Sequence, residues 1–203
     1  MDTLAFLRAV LAEEGFYCIV GLKKEPNKPV QKFFPTLDAA IEVAKQLQAN
    51  GFDSYYALAT FVEGTSRKTT NAKLLKAFWL DLDCGAGKDY LTQPEAIQAL
   101  KTFCKTTGLS RPMLVNSGRG IHAYWALEEG ITADVWLPVA QALKELCVKH
   151  NIHADPSCTA DVARVLRVPN TLNFKDSPPN PVEVLNSAII TTSFALFKGA
   201  VGT

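Results

Sequence analysis

The segment Phe78-Trp79-Leu80-Asp81-Leu82-Asp83 sets two carboxylates among bulky apolar neighbours. In an extended strand successive side chains point to opposite faces. Asp81 and Asp83 therefore emerge together, about 7 Å apart at the backbone, while Leu80 and Leu82 enter the layer behind. Two like charges held side by side disfavour each other's ionisation unless a cation joins them, and hard carboxylate oxygens suit a divalent ion such as Mg²⁺ or Mn²⁺. The bland alternative, two acids on a solvated strand face, fits poorly with the low strand preference of Asp and with this apolar setting.

Two later clusters supply groups for an anion. In Asn116-Ser117-Gly118-Arg119-Gly120-Ile121-His122 the glycines allow a tight turn and a close backbone approach, presenting N–H groups and Arg119 to a phosphate. His122 opens the return strand and shares a face with Tyr124. Taken alone, this pattern is also that of an ordinary glycine hairpin beside a core histidine. The third cluster runs from Asp155 through Asp161 to Arg164, Arg167 and Asn173. If Asp161 caps a short helical turn, Arg164 and Arg167 project along one side and can grip a triphosphate with paired guanidinium contacts. Asp155, at a strand end, is placed to join Asp81 and Asp83 as a third carboxylate; a surface set of Asp-Arg ion pairs is the plain alternative. Arg67 and Asn71, in a basic loop that continues to Lys76, and Asn173 are further candidates for nucleotide or template contact, against the reading of a merely solvated loop.

These residues need elements to hold them. Thr3–Glu14 has helical spacing with Gly15 as its stop, and Phe16–Leu22 with Val30–Phe34 reads as a hairpin whose tip is Lys24–Pro29. Thr36 or Asp38 caps a helix over Leu37–Ala49, and Tyr55–Val62 follows as a strand. Beyond the basic loop come a strand over Ala77–Asp83, a helix over Pro94–Thr107, paired strands over Met113–Leu127, a helix over Ala133–Lys149 and a last strand over Val182–Asn186. Mixed helices and hairpins define an α+β or mixed α/β class.

At 203 residues the chain is long enough for a proper core. Its 48% hydrophobic and 20% charged content is that of a soluble globular protein, without a run long enough to span a membrane. The start MDTLAFLRAVLAEEG lacks the basic region and cleavage site of a secretory signal, so a cytoplasmic location is expected. A net charge of +1 gives no general attraction to polyanions, and nucleic-acid contact must come from local basic clusters. Five scattered cysteines without CxxC read as reduced thiols. Cys147, His150, His153 and Cys158 match no zinc-finger spacing, and core thiols with surface imidazoles are the better reading.

Taken in order, Asp81-Leu82-Asp83, Ser117-Gly-Arg-Gly-Ile-His122 and Asp155 with the ARVLRVPNTLN run resemble the three motifs of the archaeo-eukaryotic primase superfamily, in particular its phage and plasmid primase-polymerase domains. Arg164, Arg167, Pro169, Thr171 and Asn173 fit the stretch R-x-x-R-x-P-G-T-x-N that commonly follows the last motif there. Two departures stand out: Asn170 replaces the usual glycine, and Ser117 and His122 are five apart where Ser-x-His is usual. The resemblance implies a two-lobed fold, with a smaller N-terminal αβ lobe over 1–66 and an RRM-like catalytic lobe over 67–203. It implies that Asp81, Asp83 and Asp155 hold two Mg²⁺ or Mn²⁺ ions. It also implies that His122 meets the triphosphate of the incoming nucleotide, with Ser117, Arg119, Arg164 and Arg167 as the other candidates for that role. The activity implied is DNA priming or polymerisation on a single-stranded DNA template with dNTP or NTP, and a fused or associated helicase is the partner that relatives often carry. Charge balance agrees: about four charges on a triphosphate and three carboxylates need divalent ions and arginines to coexist. Two rival readings remain: a non-catalytic single-strand-binding module stacking bases on Tyr124 and Trp125, and a metal-dependent nuclease, since paired carboxylates serve hydrolysis equally well.

Overall fold

A computed structural model describes residues 1–25 and 28–203, so residues 26 and 27 of the expected hairpin tip lie outside the described residues. The chain order is α1 (Thr3–Val10), β1 (Tyr17–Leu22), β2 (Val30–Phe34), α2 (Leu37–Ala49), β3 (Asp53–Ala57), β4 (Ala59–Phe61), β5 (Ala72–Asp83), α3 (Gln93–Thr107), β6 (Met113–Asn116), β7 (Gly120–Ile131), α4 (Ala133–Lys149), β8 (Val165–Arg167), β9 (Leu172–Asn173), β10 (Asn180–Pro181), β11 (Glu183–Val184), β12 (Thr191–Thr192) and α5 (Phe194–Val201). The fold is α+β. A six-stranded sheet runs β11-β6-β7-β5-β4 with β12 parallel to β7, and a four-stranded sheet runs β2-β1-β3-β8.

The two longest strands form the spine. Antiparallel pairing of β5 and β7 sets Trp79 against Tyr124, Asp81 against His122 and Asp83 against Gly120. Directly opposed residues share a face, so the register alone brings an acid and an imidazole together. The spine is covered on both sides. Phe6 of α1 meets Tyr124 edge-on at 5.2 Å. On the other face Phe78 stacks on Phe197 of α5 at 4.3 Å and on Trp136 of α4 at 5.5 Å. Each indole finds a carbonyl: Trp79 donates to Cys158 at 2.9 Å, Trp125 to Ser110 at 2.7 Å and Trp136 to Ala77 at 2.8 Å. Burial of aromatic bodies with satisfied N–H groups gives a core that does not exact a polar penalty.

Several boundaries differ from expectation. Helix α1 stops at Val10 because the Tyr17 hydroxyl donates to the Ala12 carbonyl at 3.0 Å, pulling the following turn into the core. The run expected as one strand over Tyr55–Val62 divides between the two sheets, β3 to one and β4 to the other, with the Leu58 N–H between them donating to the Arg164 carbonyl at 3.1 Å. Strand β5 starts at Ala72, earlier than its apolar run, since Lys73 and Lys76 reach outward to Glu14 and to the Arg8 carbonyl. Only Glu183 and Val184 pair in the expected last strand, and α5, capped by the Ser193 hydroxyl, was not anticipated. The sheets also cross the 66/67 division: β4 belongs with the later strands, and β8 with the earlier ones.

Candidate active site

A cleft of about 680 Å³ opens where the two sheets face each other. Its floor is the C-terminal end of β5. Asp81 is a quarter exposed and Asp83 mostly exposed. Asp155 enters from the chain after α4, where its N–H donates to the Asp81 carbonyl at 2.8 Å. Burial, then the charges of Asp83 and Asp155, push the Asp81 carboxyl up to about 7, partly offset by Arg164 and Lys175. Burial is the largest of these causes, and the two neighbouring acids add to it. Their carboxylates do not yet form a cluster: among the described residues no three Asp, Glu, His or Cys side chains stand ready to hold one metal ion. Asp83 is drawn to Lys88 at 2.7 Å, and Asp155 accepts from the Ser157 hydroxyl at 2.7 Å and its N–H at 2.9 Å. Those contacts hold the Asp155 carboxyl below the usual range despite the opposing effect of burial.

His122 lies behind Asp81, its Nε2 3.6 Å from Oδ1. Burial, and then the Arg167 charge, lower its pKa to about 3, so the ring is neutral at pH 7 and the contact is not an ion pair. The Tyr124 hydroxyl sits 3.4 Å from Nδ1. If it donates there, Nε2 carries the proton and points it toward Asp81 and the cleft. Tyr124 and Trp125 are themselves buried, 0% and 1% exposed, which removes both as stacking platforms for bases.

The turn between β6 and β7 needs its glycines. Gly118 has φ +92°, and a Cβ there would meet Asn173; at Gly120 a Cβ would fall 2.3 Å from the Leu82 carbonyl oxygen. This close approach brings the turn against the end of β5. The buried Ser117 hydroxyl accepts from the Gly120 N–H at 3.1 Å, and buried Asn173 donates to the Ser117 carbonyl at 2.8 Å. Both brace the turn while bordering the cleft. Arg119 reaches the cleft but is paired with Asp176, its Nε donating to Oδ2 at 2.9 Å.

The opposite wall carries Arg164 and Arg167, though not on a helical turn. Asp161 accepts from the Ala163 N–H in a tight turn, after which the chain enters β8 directly. Arg164 donates to the Ser157 carbonyl and hydroxyl. Arg167 is buried, donates to Asp53 at 2.6 Å, and lies 4.8 Å over the Tyr55 ring; its other terminal nitrogen has no partner. Sequence reasoning missed Asp53, Tyr55, Lys88, Lys175 and Asp176. Of these, Tyr55, Lys88, Lys175 and Asp176 border the cleft, and Asp53 anchors Arg167 from behind. Asp155 lies beside Asp81 and is not part of the cleft lining, and two other candidates are not brought to the cleft at all. Arg67 donates to Gln31 and to the Ala163 carbonyl on another surface. The Asn71 amide is spent on the Glu63 and Ser66 carbonyls, closing its own loop.

The acids Asp81, Asp83 and Asp155 offer hard oxygen donors of the kind Mg²⁺ or Mn²⁺ takes, one of them desolvated. Cys147 and Cys158 are buried thiols of the core.

No family model matches the sequence, and no curated protein is similar to it in sequence. Solved structures are similar in shape. The chain superposes on the AEP domain of cyanophage S-2L primase-polymerase with a TM-score of 0.67, at 14% identity, covering 92% of this chain and 89% of that one. Against the catalytic domain of primase RepB′, solved with initiator DNA, the TM-score is 0.63 at 16% identity over 98% of this chain and 90% of that one. The chain has the archaeo-eukaryotic primase-polymerase fold. The polymerase domain of Mycobacterium tuberculosis Ligase D, solved with DNA, is a more distant example, with a TM-score of 0.52 at 16% identity over 98% of this chain and 86% of that one. In this primase-polymerase fold the α+β class and the juxtaposed sheets agree with the sequence reading, while identities of this size speak for fold alone.

Proposed function

We propose that this chain is a template-directed nucleotidyltransferase, a DNA primase or polymerase, with Asp81, Asp83 and Asp155 as ligands for two divalent ions. One observation carries the reading: a desolvated acid, Asp81, shares a cleft floor with Asp83, feels the charge of Asp155 beside it, and faces a wall and rim of lysines and arginines. A polyphosphate with divalent ions matches that division of charge. When bound, the ions would supply Lewis-acid stabilisation of the attacking hydroxyl and of the departing pyrophosphate.

The chain's own groups do the rest. Arg167, pre-oriented by Asp53 and Tyr55, borders the cleft with an unpartnered nitrogen that is shielded from solvent and would reach a phosphate oxygen only after a small shift of the side chain. Arg164 and Arg119 add further donors, each exchanging a contact within the chain for one to the ligand. His122, kept neutral, can donate Nε2–H without adding charge beside the acids. The likeness to structures solved with DNA supports a DNA template; that it is single-stranded, and that dNTP or NTP is the second substrate, is part of this proposal. A helicase partner is part of the same proposal.

The test is incorporation of labelled nucleotide on primed and unprimed single-stranded DNA with Mg²⁺ or Mn²⁺. Elongation by the wild type, abolished in Asp81→Ala/Asp83→Ala with unchanged circular dichroism, is expected. Shortening of the DNA would instead favour a nuclease, and retained incorporation by the double variant would remove these acids from the chemistry.

A further inference from the structure

The loop that leaves β5 runs Cys84-Gly85-Ala86-Gly87-Lys88 and returns to the sheet at Tyr90. Its base is fixed: the Gly85 N–H donates to the Tyr90 carbonyl at 2.9 Å, and the Tyr90 hydroxyl accepts from the His153 N–H at 2.9 Å. Its tip is different. Gly85 and Gly87 have φ of +124° and +77°, and a Cβ on either would meet nothing within 4 Å, so the turn needs glycine for its backbone while open space surrounds it.

The loop delivers one cation into the cleft. Lys88 Nζ lies 2.7 Å from Asp83 Oδ2, with the ammonium half exposed. Asp83 is the most exposed of the three acids proposed as metal ligands, and Lys88 engages an oxygen that a metal ion would need. An exposed pair of this kind is weak and screened by salt. A divalent ion carries twice the charge of an ammonium and can displace it. The released lysine stays tethered beside the cleft and near Asp81 and Asp155; with those acids engaged by the metal, the phosphates that arrive with it are the anions left for the ammonium.

We propose that Lys88 is a phosphate-binding residue of the nucleotide site, held on Asp83 until a divalent ion takes that carboxylate, so that metal and nucleotide entry are coupled through one side chain. The inference rests on the metal-nucleotide reading given above. It makes two predictions of opposite sign. Without Lys88 the acids lose a competitor and bind metal better; the nucleotide loses a donor and binds worse.

The experiment titrates Mn²⁺ by electron paramagnetic resonance into wild type, Lys88→Gln and Lys88→Arg without nucleotide. It then titrates a non-hydrolysable α,β-imido dNTP at saturating Mn²⁺ by calorimetry. For Lys88→Gln, Mn²⁺ affinity should rise about three- to tenfold and analogue affinity fall about tenfold, consistent with loss of one charged contact. Lys88→Arg should stay near wild type in both. If wild type binds Mn²⁺ and analogue and Lys88→Gln leaves either affinity unchanged, the coupling is overturned while the nucleotidyltransferase reading stands. If wild type binds neither, that reading falls and takes this one with it.

Discussion

The floor of the cleft and its rim are built by opposite means. On the floor, Asp81 and His122 are fixed by the β5–β7 ladder, with Phe6 packed on Tyr124 from one side and Phe197 on Phe78 from the other. On the rim, Lys88 and Arg119 sit on glycine turns and are held by exposed pairs with Asp83 and Asp176. The floor cannot rearrange without breaking a sheet, whereas the rim can exchange partners at little expense. On the proposed function, the groups fixed for chemistry at the floor, Asp81 and His122, are on strands, and those that would receive and release a ligand, Lys88 and Arg119, are on turns.

The contrast can be broken at the floor first. Asp81→Asn should reduce nucleotide incorporation by at least about a thousandfold, the scale of removing a metal ligand from such a site. It should also raise stability at pH 8 by about 1–2 kcal/mol, because a carboxyl harder to ionise in the folded state penalises folding once charged. The sign follows from the shift: with a folded pKa of about 7 against 3.8, Asp81 lowers stability as pH rises from 3.8 to 7, and the deficit is constant above that. His122 acts in reverse. Its folded pKa of about 3 against 6.5 gives stability that is complete above pH 6.5 and lost as pH falls toward 3. Melting temperatures of Asp81→Asn from pH 4 to 8 should expose that rise alone, and a flat profile would refute the buried neutral imidazole.

A second break lies on the wall. Arg167→Ala leaves the largely buried Asp53 with only the Phe174 N–H as partner and should destabilise by about 2–4 kcal/mol in urea unfolding. Arg167→Ala/Asp53→Ala should recover part of that loss while nucleotide affinity stays low. Gly120→Ala should cost about 2–4 kcal/mol by driving a methyl group into the Leu82 carbonyl, again read by urea unfolding. The smallest effect belongs to the rim: Asp176→Ala should leave the melting temperature unchanged and tighten analogue binding a few-fold by releasing Arg119. A large stability loss there would show that the rim is as structural as the floor.

What was legible in the sequence followed from short-range rules. Alternation placed Asp81 and Asp83 on one face, and the glycines of the 117–120 turn announced a close approach; both depend on neighbours in sequence. The residues missed depend on distant ones. Asp53 matters only because β8 comes to lie beside β3, across more than half the chain, and nothing local marks it. Lys88 looked like any lysine in a polar loop until Asp83 was placed beside it. The rival reading of Tyr124 and Trp125 as stacking platforms fails on a point that a strand pattern does not show, the number of layers that cover it, and here helices cover both faces. Arg164 and Arg167 reach the cleft that holds Asp81 by another element than expected: spacing of three suits a helix, but a turn followed by a strand also delivers both.

Strand β8 borrows its hydrogen-bonding edge from a segment that precedes it by more than a hundred residues, with Tyr55, Tyr56 and Ala57 opposite Arg167, Leu166 and Val165. Severing the chain near residue 66 would thus yield two fragments, one with a bare sheet edge and one with an orphaned guanidinium, and each would tend to aggregate. The molecule divides by eye into two sheets, while the pairing of β8 with β3 and of β4 with β5 ties each sheet to both halves of the chain.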